Sequence, residues 1–294
     1  MRLVLISTIS AVIGESTIGD CEQKPGSSGG QLKHGFDISV EHFHVLGSTQ
    51  TYIKELKLAA LSSNASPPQL IVVSAEHQTH GRGKGNRKWF SDESSKCLAL
   101  SFAFLVPENR LKDCPILTQL LALAVMKTFP DIDLLMKWPN DLIVVGKKVG
   151  GILAELEPMG DGTFYALIIG VGVNLDIDQT RLDSLQSRWP ATSLARFIPP
   201  NASINFFETR DKIIENFSNL LSIFLSKDDE SLSCLVSEIS RRQFLLGQYI
   251  SFQAGDQLVQ GIHSGIDDNG GLKIFSKSIL TTFHSGEIVL ERVI

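Results

Sequence analysis

Cysteine is scarce in this chain. Its four residues, Cys21, Cys97, Cys114 and Cys234, lie far apart with no Cys-x-x-Cys spacing. That spacing gives no reason to expect a zinc cluster or a disulfide framework, and it fits a reducing compartment. No metal-ligand set is expected. No apolar run reaches the ~18 residues of a membrane span, so no membrane partner is expected either. Positive charge is in deficit: 27 Lys and Arg stand against 32 Asp and Glu, a net charge of −5. That argues against a nucleic-acid surface spread over the whole molecule, while leaving room for one local basic loop. Internal repeats are absent. The first 13 residues are apolar but broken by Ser7, Thr8 and Ser10, with Arg2 as the only charge. This is a poorly formed signal peptide, and a strand or short extension is the expectation.

What is present is material for a full core. The chain has 294 residues, 43% of them hydrophobic, enough for one large domain and one small one. Residues 20–35 are rich in Gly, Ser, Lys and Pro and read as a linker. Residues 38–46 alternate as a strand, and Ser48 then opens a helical pattern through Tyr52, Ile53, Leu56 and Leu61. Residues 70–74 and 164–173 read as strands, and 116–129 as an apolar helix between Pro115 and Pro130. Residues 206–225 and 230–242 read as amphipathic helices. After about residue 243 the texture changes to five short strands punctuated by Gly255-Asp256, by residues 267–271 and by Ser285-Gly286. That pattern predicts a small β barrel. Strands and helices are mixed without regular alternation, so the class is α+β rather than doubly wound. The expected division is 1–38 extension and linker, 39–242 main domain, and 243–294 C-terminal domain.

Two segments carry chemistry. Lys137-Trp138-Pro139-Asn140-Asp141 is followed by an apolar run at 142–145 and by Lys147-Lys148-Val149-Gly150-Gly151. Pro139 fixes its own φ and turns the chain. The run reads as a strand, Gly146-Lys147 as a tight turn, and residues 149–156 as a second strand. The hairpin holds an amide and a carboxylate at its start with Lys148 opposite, which suits a base and a phosphate, or else a charged surface hairpin over a buried Trp. The second segment, residues 75–91, follows a strand and contains Gly81-Arg82-Gly83-Lys84-Gly85-Asn86-Arg87-Lys88-Trp89. Glycines let backbone approach an anion closely, and four cations supply charge. The loop matches neither the phosphate-loop pattern nor the dinucleotide fingerprint. A solvated basic loop is the alternative. Trp89 reads as core, and His77 and His80 as solvated loop residues.

Together these segments resemble the biotin–protein ligases, whose Gly-Arg-Gly-x-x-x-Arg-x-Trp loop, Lys-Trp-Pro-Asn-Asp and Lys-x-x-Gly-Ile-Leu segments match residues 81–89, 137–141 and 148–153. Ser48-Thr49-Gln50, Ile169-Gly170-Val171-Gly172-Val173-Asn174 and Gly286-Glu287-Ile288-Val289-Leu290 extend the resemblance in order over residues 40–294. It implies a mixed β-sheet backed by helices, of the class II synthetase-like kind, followed by an SH3-like barrel. It also implies a reaction in two halves. The biotin carboxylate attacks the α-phosphate of ATP with Mg²⁺ present, and a lysine of a biotin carboxyl carrier domain then takes the biotinyl group from the adenylate. Arg82 and Lys148 are implied as the groups that neutralise carboxylate and α-phosphate. Ser48, Thr49, Gln78, Gly81, Arg82, Gly83, Lys148, Gly151 and Gly170 are implied for biotin. Lys84, Arg87, Lys137, Asn140, Asp141, Asn174 and Trp189 are implied for the nucleotide. Departures are Lys84 for an arginine, Asn86 for a glycine, Gln50 for an asparagine, and Glu291 with Arg292 where some relatives bring an arginine to the nucleotide. About 38 residues precede the main domain and lack a helix-turn-helix pattern, so no specific DNA partner is expected. A cytoplasmic setting is expected and a homodimer is left open. Two alternatives remain: a lipoate or octanoate ligase or transferase, and a non-catalytic biotin-binding module.

Overall fold

The computed structural model describes residues 35–289 except 67, 86, 92–95, 186 and 188. The expected extension before residue 35, Asn86, and Glu291 with Arg292 lie outside the described residues. Strand β1 (Asp37–Leu46) leads into helix α1 (Thr49–Leu56), then β2 (Gln69–Gln78), β3 (Cys97–Pro107) and α2 (Pro115–Thr128). A meander of β4 (Leu135–Lys137), β5 (Asp141–Val144), β6 (Lys147–Met159) and β7 (Phe164–Asn174) follows. Next come α3 (Gln179–Asp183), α4 (Phe206–Ser226) and α5 (Asp229–Arg241). The chain then forms β8 (Tyr249–Ala254), β9 (Gln257–Ile266), β10 (Leu272–Ser276), β11 (Ile279–Phe283) and β12 (Glu287–Val289).

The first seven strands form one sheet in the order β1-β2-β3-β7-β6-β5-β4. β1 and β2 are parallel, joined by the crossover through α1, and the other neighbours are antiparallel. The mixed sheet expected from the sequence is therefore present. Residue alternation assigns its two faces. On β3, Leu98, Leu100, Phe102, Phe104 and Val106 point into the main core with α2 and α4, as do Leu167, Ile169, Val171 and Val173 on β7. α2 is apolar on nearly every side, with buried residues from Ile116 to Met126, because it lies between the sheet and α4. The opposite face carries α1 and a smaller cluster around Phe43, Ile53, Val73 and Ile168.

Local chemistry sets the element ends. Ser48 caps α1, accepting from Thr51 N–H at 3.4 Å, and Asn205 caps α4, accepting from Glu208 N–H at 3.0 Å. The β4–β5 turn falls at 138–140, as the proline predicts. The β5–β6 turn is Val145-Gly146 rather than Gly146-Lys147, with φ of 45° and 71° at the two residues. Two left-handed residues match the twist of a hairpin, so the register slides by one to obtain them.

The last five strands make a second sheet in the order β11-β10-β9-β8-β12. It is all antiparallel, as an SH3-like unit requires, but among the described residues it does not close into the expected barrel. Closure needs a ladder between the edge strands; β12 spends its three residues on β8 and leaves β11 at the far edge. The sheet packs on the first through Gly270, whose carbonyl accepts from Gln119 Nε2 at 2.6 Å and Trp138 Nε1 at 2.9 Å.

Candidate active site

A cavity of about 1310 Å³ opens on the α1 face, between the 81–89 loop, the β5–β6 hairpin and β12. Small side chains create it. Where β3 and β7 turn away from the main core they carry Ala99, Ser101, Gly170 and Gly172, all lining the space. An added Cβ at Gly170 would sit 2.6 Å from Ser101 Oγ, and one at Gly172 between 2.4 and 2.7 Å from the Trp89 indole. Only glycine fits there.

The floor is polar and ordered. Thr49 donates its N–H to Gln78 Oε1 at 2.8 Å, and its hydroxyl lies 3.2 Å from the same oxygen and 2.7 Å from Ser101 Oγ. Gln50 Nε2 donates to the Leu153 carbonyl at 2.9 Å. Ser48, Thr49, Gln50, Gln78 and Ser101 are all buried. Trp89 Nε1 and His77 Nδ1 are buried on the same walls without a hydrogen-bond partner among the described residues. A ligand with amide-like donors and acceptors would satisfy such groups at little cost in ordering.

The rim is cationic. Arg82, Lys84, Arg87, Lys88, Lys137 and Lys148 line the cavity, against the carboxylates of Asp141 and Glu287. Six cations against two acids, in a chain of net charge −5, make a local anion trap. The loop folds on itself: Gly83 N–H donates to the Arg87 carbonyl at 2.8 Å and Trp89 N–H to the Gly81 carbonyl at 2.9 Å. Three of its cations are held by protein acceptors. Arg82 makes two bonds to Glu155, at 2.6 and 2.8 Å. Lys84 Nζ donates to the Gly286 carbonyl and Arg87 to Glu287, each at 3.2 Å, so the loop reaches β12.

The hairpin holds the second charge group. Lys148 Nζ lies 2.5 Å from Asp141 Oδ1, and Lys137 Nζ 3.8 Å from Asp141 Oδ2. Lys137 also lies 4.7 Å from the centre of the Trp189 ring, a cation–π contact. Burial pushes the Lys137 pKa below the ordinary lysine value; Asp141 and Glu287 oppose that, while Lys148 and Arg87 add to it. A buried ammonium that the protein under-compensates is a place where an added anion gains binding energy. Gly151 makes room for the Lys148 side chain, since a Cβ there would meet its Nζ at 3.2 Å. Asn140 Nδ2 donates to the Ile152 carbonyl at 2.7 Å, Asn174 Nδ2 to the Thr192 carbonyl at 3.1 Å, and Trp189 Nε1 to the Gly146 carbonyl at 2.9 Å.

Of the residues singled out in the sequence, Ser48, Thr49, Gln78, Arg82, Gly83, Lys84, Arg87, Lys137, Asn140, Asp141, Lys148, Gly151, Gly170, Asn174 and Trp189 line this one cavity. Gly81 does not. It lies behind the wall, where an added Cβ would come 2.5 Å from the Trp89 carbonyl, so it lets the loop fold back. Two readings change. Trp89 is half-buried and forms cavity wall, and His77 faces the cavity rather than the solvated loop, whereas His80 is exposed. Sequence reasoning missed Ser101, Gly172 and Glu155. The alternating small residues of 99–103 and the second glycine of Gly170-Val171-Gly172 were available signals; nothing local marks Glu155 as the partner of Arg82.

Residues 42–174 match the family model of the Biotin/lipoate A/B protein ligase family. That match spans a little under half of the chain. The chain is 34% identical over 163 residues to the bifunctional ligase/repressor BirA of Bacillus subtilis, covering 52% of this chain and 47% of that protein. It is 26% identical over 250 residues to the biotin–[acetyl-CoA-carboxylase] ligase of Mycobacterium tuberculosis, covering 82% and 86% of the two chains. The biotin protein ligase of Aquifex aeolicus, solved in complex with biotin and ATP, superposes with a TM-score of 0.65 at 25% identity, over 86% of this chain and 98% of that one. The chain spans about half the length of the Bacillus relative. No helix among the described residues is long and apolar enough to cross a membrane.

Proposed function

We propose that this chain is an ATP-dependent biotin–protein ligase that forms biotinyl-5′-adenylate and passes biotin to a lysine of a biotin carboxyl carrier domain. One observation carries the reading: a small-residue pocket with an ordered polar floor opens directly onto a six-cation rim. The floor suits the ureido ring of biotin, whose donors and acceptors Thr49, Gln50, Gln78 and Ser101 can meet. The rim suits a carboxylate and a triphosphate, two anions that repel unless cations stand between them.

In the first half-reaction a biotin carboxylate oxygen attacks the α-phosphorus and pyrophosphate leaves. Lys148 and Arg82 are proposed to neutralise the charge gathered there. Both are engaged by Asp141 and Glu155, so each exchanges a protein carboxylate for a ligand anion on binding. Lys137, Lys84 and Arg87 are proposed to hold phosphate, and Asn140, Asn174 and Trp189 to bound the nucleoside. Asp141 and Glu287 are the carboxylates that would be available to a magnesium ion bound with ATP, which would offset phosphate charge; Asp141 is already shared by two lysines. In the second half-reaction the neutral amine of the acceptor lysine attacks the acyl carbon and AMP leaves. The 81–89 loop is proposed to keep water from the mixed anhydride. We further propose that the catalytic unit ends near residue 242 and that the enzyme works in the cytoplasm.

The test is transfer. With MgATP and a carrier domain, the chain should add biotin to one carrier lysine, seen as a mass increase. Lipoate under the same conditions should give none. Modification by lipoate or octanoate instead of biotin would place the chain with the lipoate branch, and no modification by either would refute the ligase reading.

A further inference from the structure

A second constellation lies outside the cavity, at the start of the sheet. His42 and His44 are two apart on β1, so both rings leave the same face of the strand. In the parallel register His42 lies opposite Ser74, and Glu76, two residues on, falls beside His44. One carboxylate oxygen, Glu76 Oε1, lies 3.1 Å from His42 Nε2 and 2.8 Å from His44 Nδ1. All three ligand atoms lie within 4.8 Å of one another. Bonds of about 2.0–2.1 Å to a tetrahedral ion set its ligand atoms about 3.3 Å apart, close to what is already here.

The hydrogen bonding around the cluster points the same way. Ser74 Oγ lies 3.0 Å from His42 Nδ1 and 3.4 Å from the Glu41 carbonyl. With Nδ1–H donated to Ser74, the Nε2 lone pair of His42 is free to bind a cation beside the Glu76 carboxylate. Ser74 stands where an outer partner fixes a metal-binding imidazole. Phe206 and Phe207 of α4 pack on the His42 ring at 5.5 and 4.9 Å, giving the cluster an apolar wall. The facing like charge is Arg210, which is paired with Asp211 at 2.7 Å.

We propose that His42, His44 and Glu76 form a binding site for a divalent transition metal, with Zn²⁺ the best match to two imidazoles and a carboxylate, and water in the fourth position. The ion ties β1 to β2 a few residues before the strands deliver Ser48 and Gln78 to the cavity. The site stands independently of the ligase reading.

The test uses the full chain, stripped with a chelator and titrated with Zn²⁺ alone by calorimetry and by thermal shift. One zinc per chain and a raised melting temperature are expected. His44→Ala, at the more open of the two histidines, should remain folded by circular dichroism and lose zinc affinity by more than the ~10–100-fold that removal of an outer partner costs, with Ser74→Ala falling in that range. Co²⁺ in place of zinc should show no thiolate charge-transfer band. Absence of zinc binding, unchanged affinity in His44→Ala and Glu76→Gln, or a thiolate band from a cysteine would each overturn the proposal.

Discussion

Lys137→Met separates binding from stability at a single position. The Lys137 side chain is 3% exposed, so its ammonium has lost nearly all of its water. Its compensation is weak: Asp141 at 3.8 Å, itself held at 2.5 Å by Lys148, and the face of Trp189 at 4.7 Å. Burial is the largest influence on its pKa and pushes it down. The sign follows from linkage. Between the lowered folded value and 10.5 the unfolded chain binds more protons, so stability rises with pH through that window, and the cost of the buried ammonium is fully present below it. Methionine keeps the stem and removes the charge. Asp141 keeps Lys148, so no orphan carboxylate is left behind. Replacing buried charge by apolar volume is neutral or stabilising by ~1–4 kcal/mol; taking the low end, the variant gains ~1 kcal/mol. For a chain of this size that raises the melting temperature by roughly 2–4 °C and flattens the alkaline rise in stability. If Lys137 holds a phosphate, the lost charge-assisted bond costs ~1.5–3 kcal/mol, or about 10–150-fold in ATP affinity. Scanning calorimetry and ATP titration read the two effects on the same sample. ATP affinity within about threefold of wild type would show that Lys137 is not a phosphate contact. A melting temperature that falls by several degrees would show that the ammonium supports the fold.

Two further changes probe the walls of the cavity. Gly172→Ala places a Cβ 2.4 to 2.7 Å from the Trp89 indole and must push the ring from its seat. Biotin kcat/KM should drop by up to ~100-fold, with far-ultraviolet dichroism preserved; an unchanged value would mean that Trp89 does not shape the pocket. Glu155→Gln weakens the pair that restrains Arg82, whose side chain is 41% exposed. Stability should change by less than ~1 kcal/mol, as for other exposed pairs, while a non-hydrolysable adenylate analogue binds up to about fivefold tighter. Weaker analogue binding would show that Glu155 positions Arg82 instead of competing for it.

The fold was legible where one physical signal dominates. The apolar stretch between Pro115 and Pro130 became α2 because a helix buried on all sides needs no polar face. Ser48 before Thr49 became a capped helix start because its hydroxyl meets an orphan N–H. Gly170 marked a close approach, and Lys137 and Lys148 marked part of the cavity's cationic rim. What stayed hidden depends on partners distant in the chain. Glu155 meets Arg82 from 73 residues away, and Gly81 faces inward only because Trp89 folds back over it. Five short strands with turn signals read as a barrel, but closure depends on edge pairing, which local composition does not encode. His42-Phe43-His44 passed as an ordinary strand because Glu76 arrives from the next strand.

The central claim is that this cavity activates a biotin carboxylate on ATP, with Lys148 supplying charge at the reacting phosphate. Biotin-dependent exchange of labelled pyrophosphate into MgATP measures that step without any acceptor. Wild type should exchange label only when biotin is present, and Lys148→Ala should lose ~100–1000-fold, the usual cost of one preorganised charge-stabilising group. Absence of biotin-dependent exchange in wild type, or exchange at full rate in Lys148→Ala, would contradict the account.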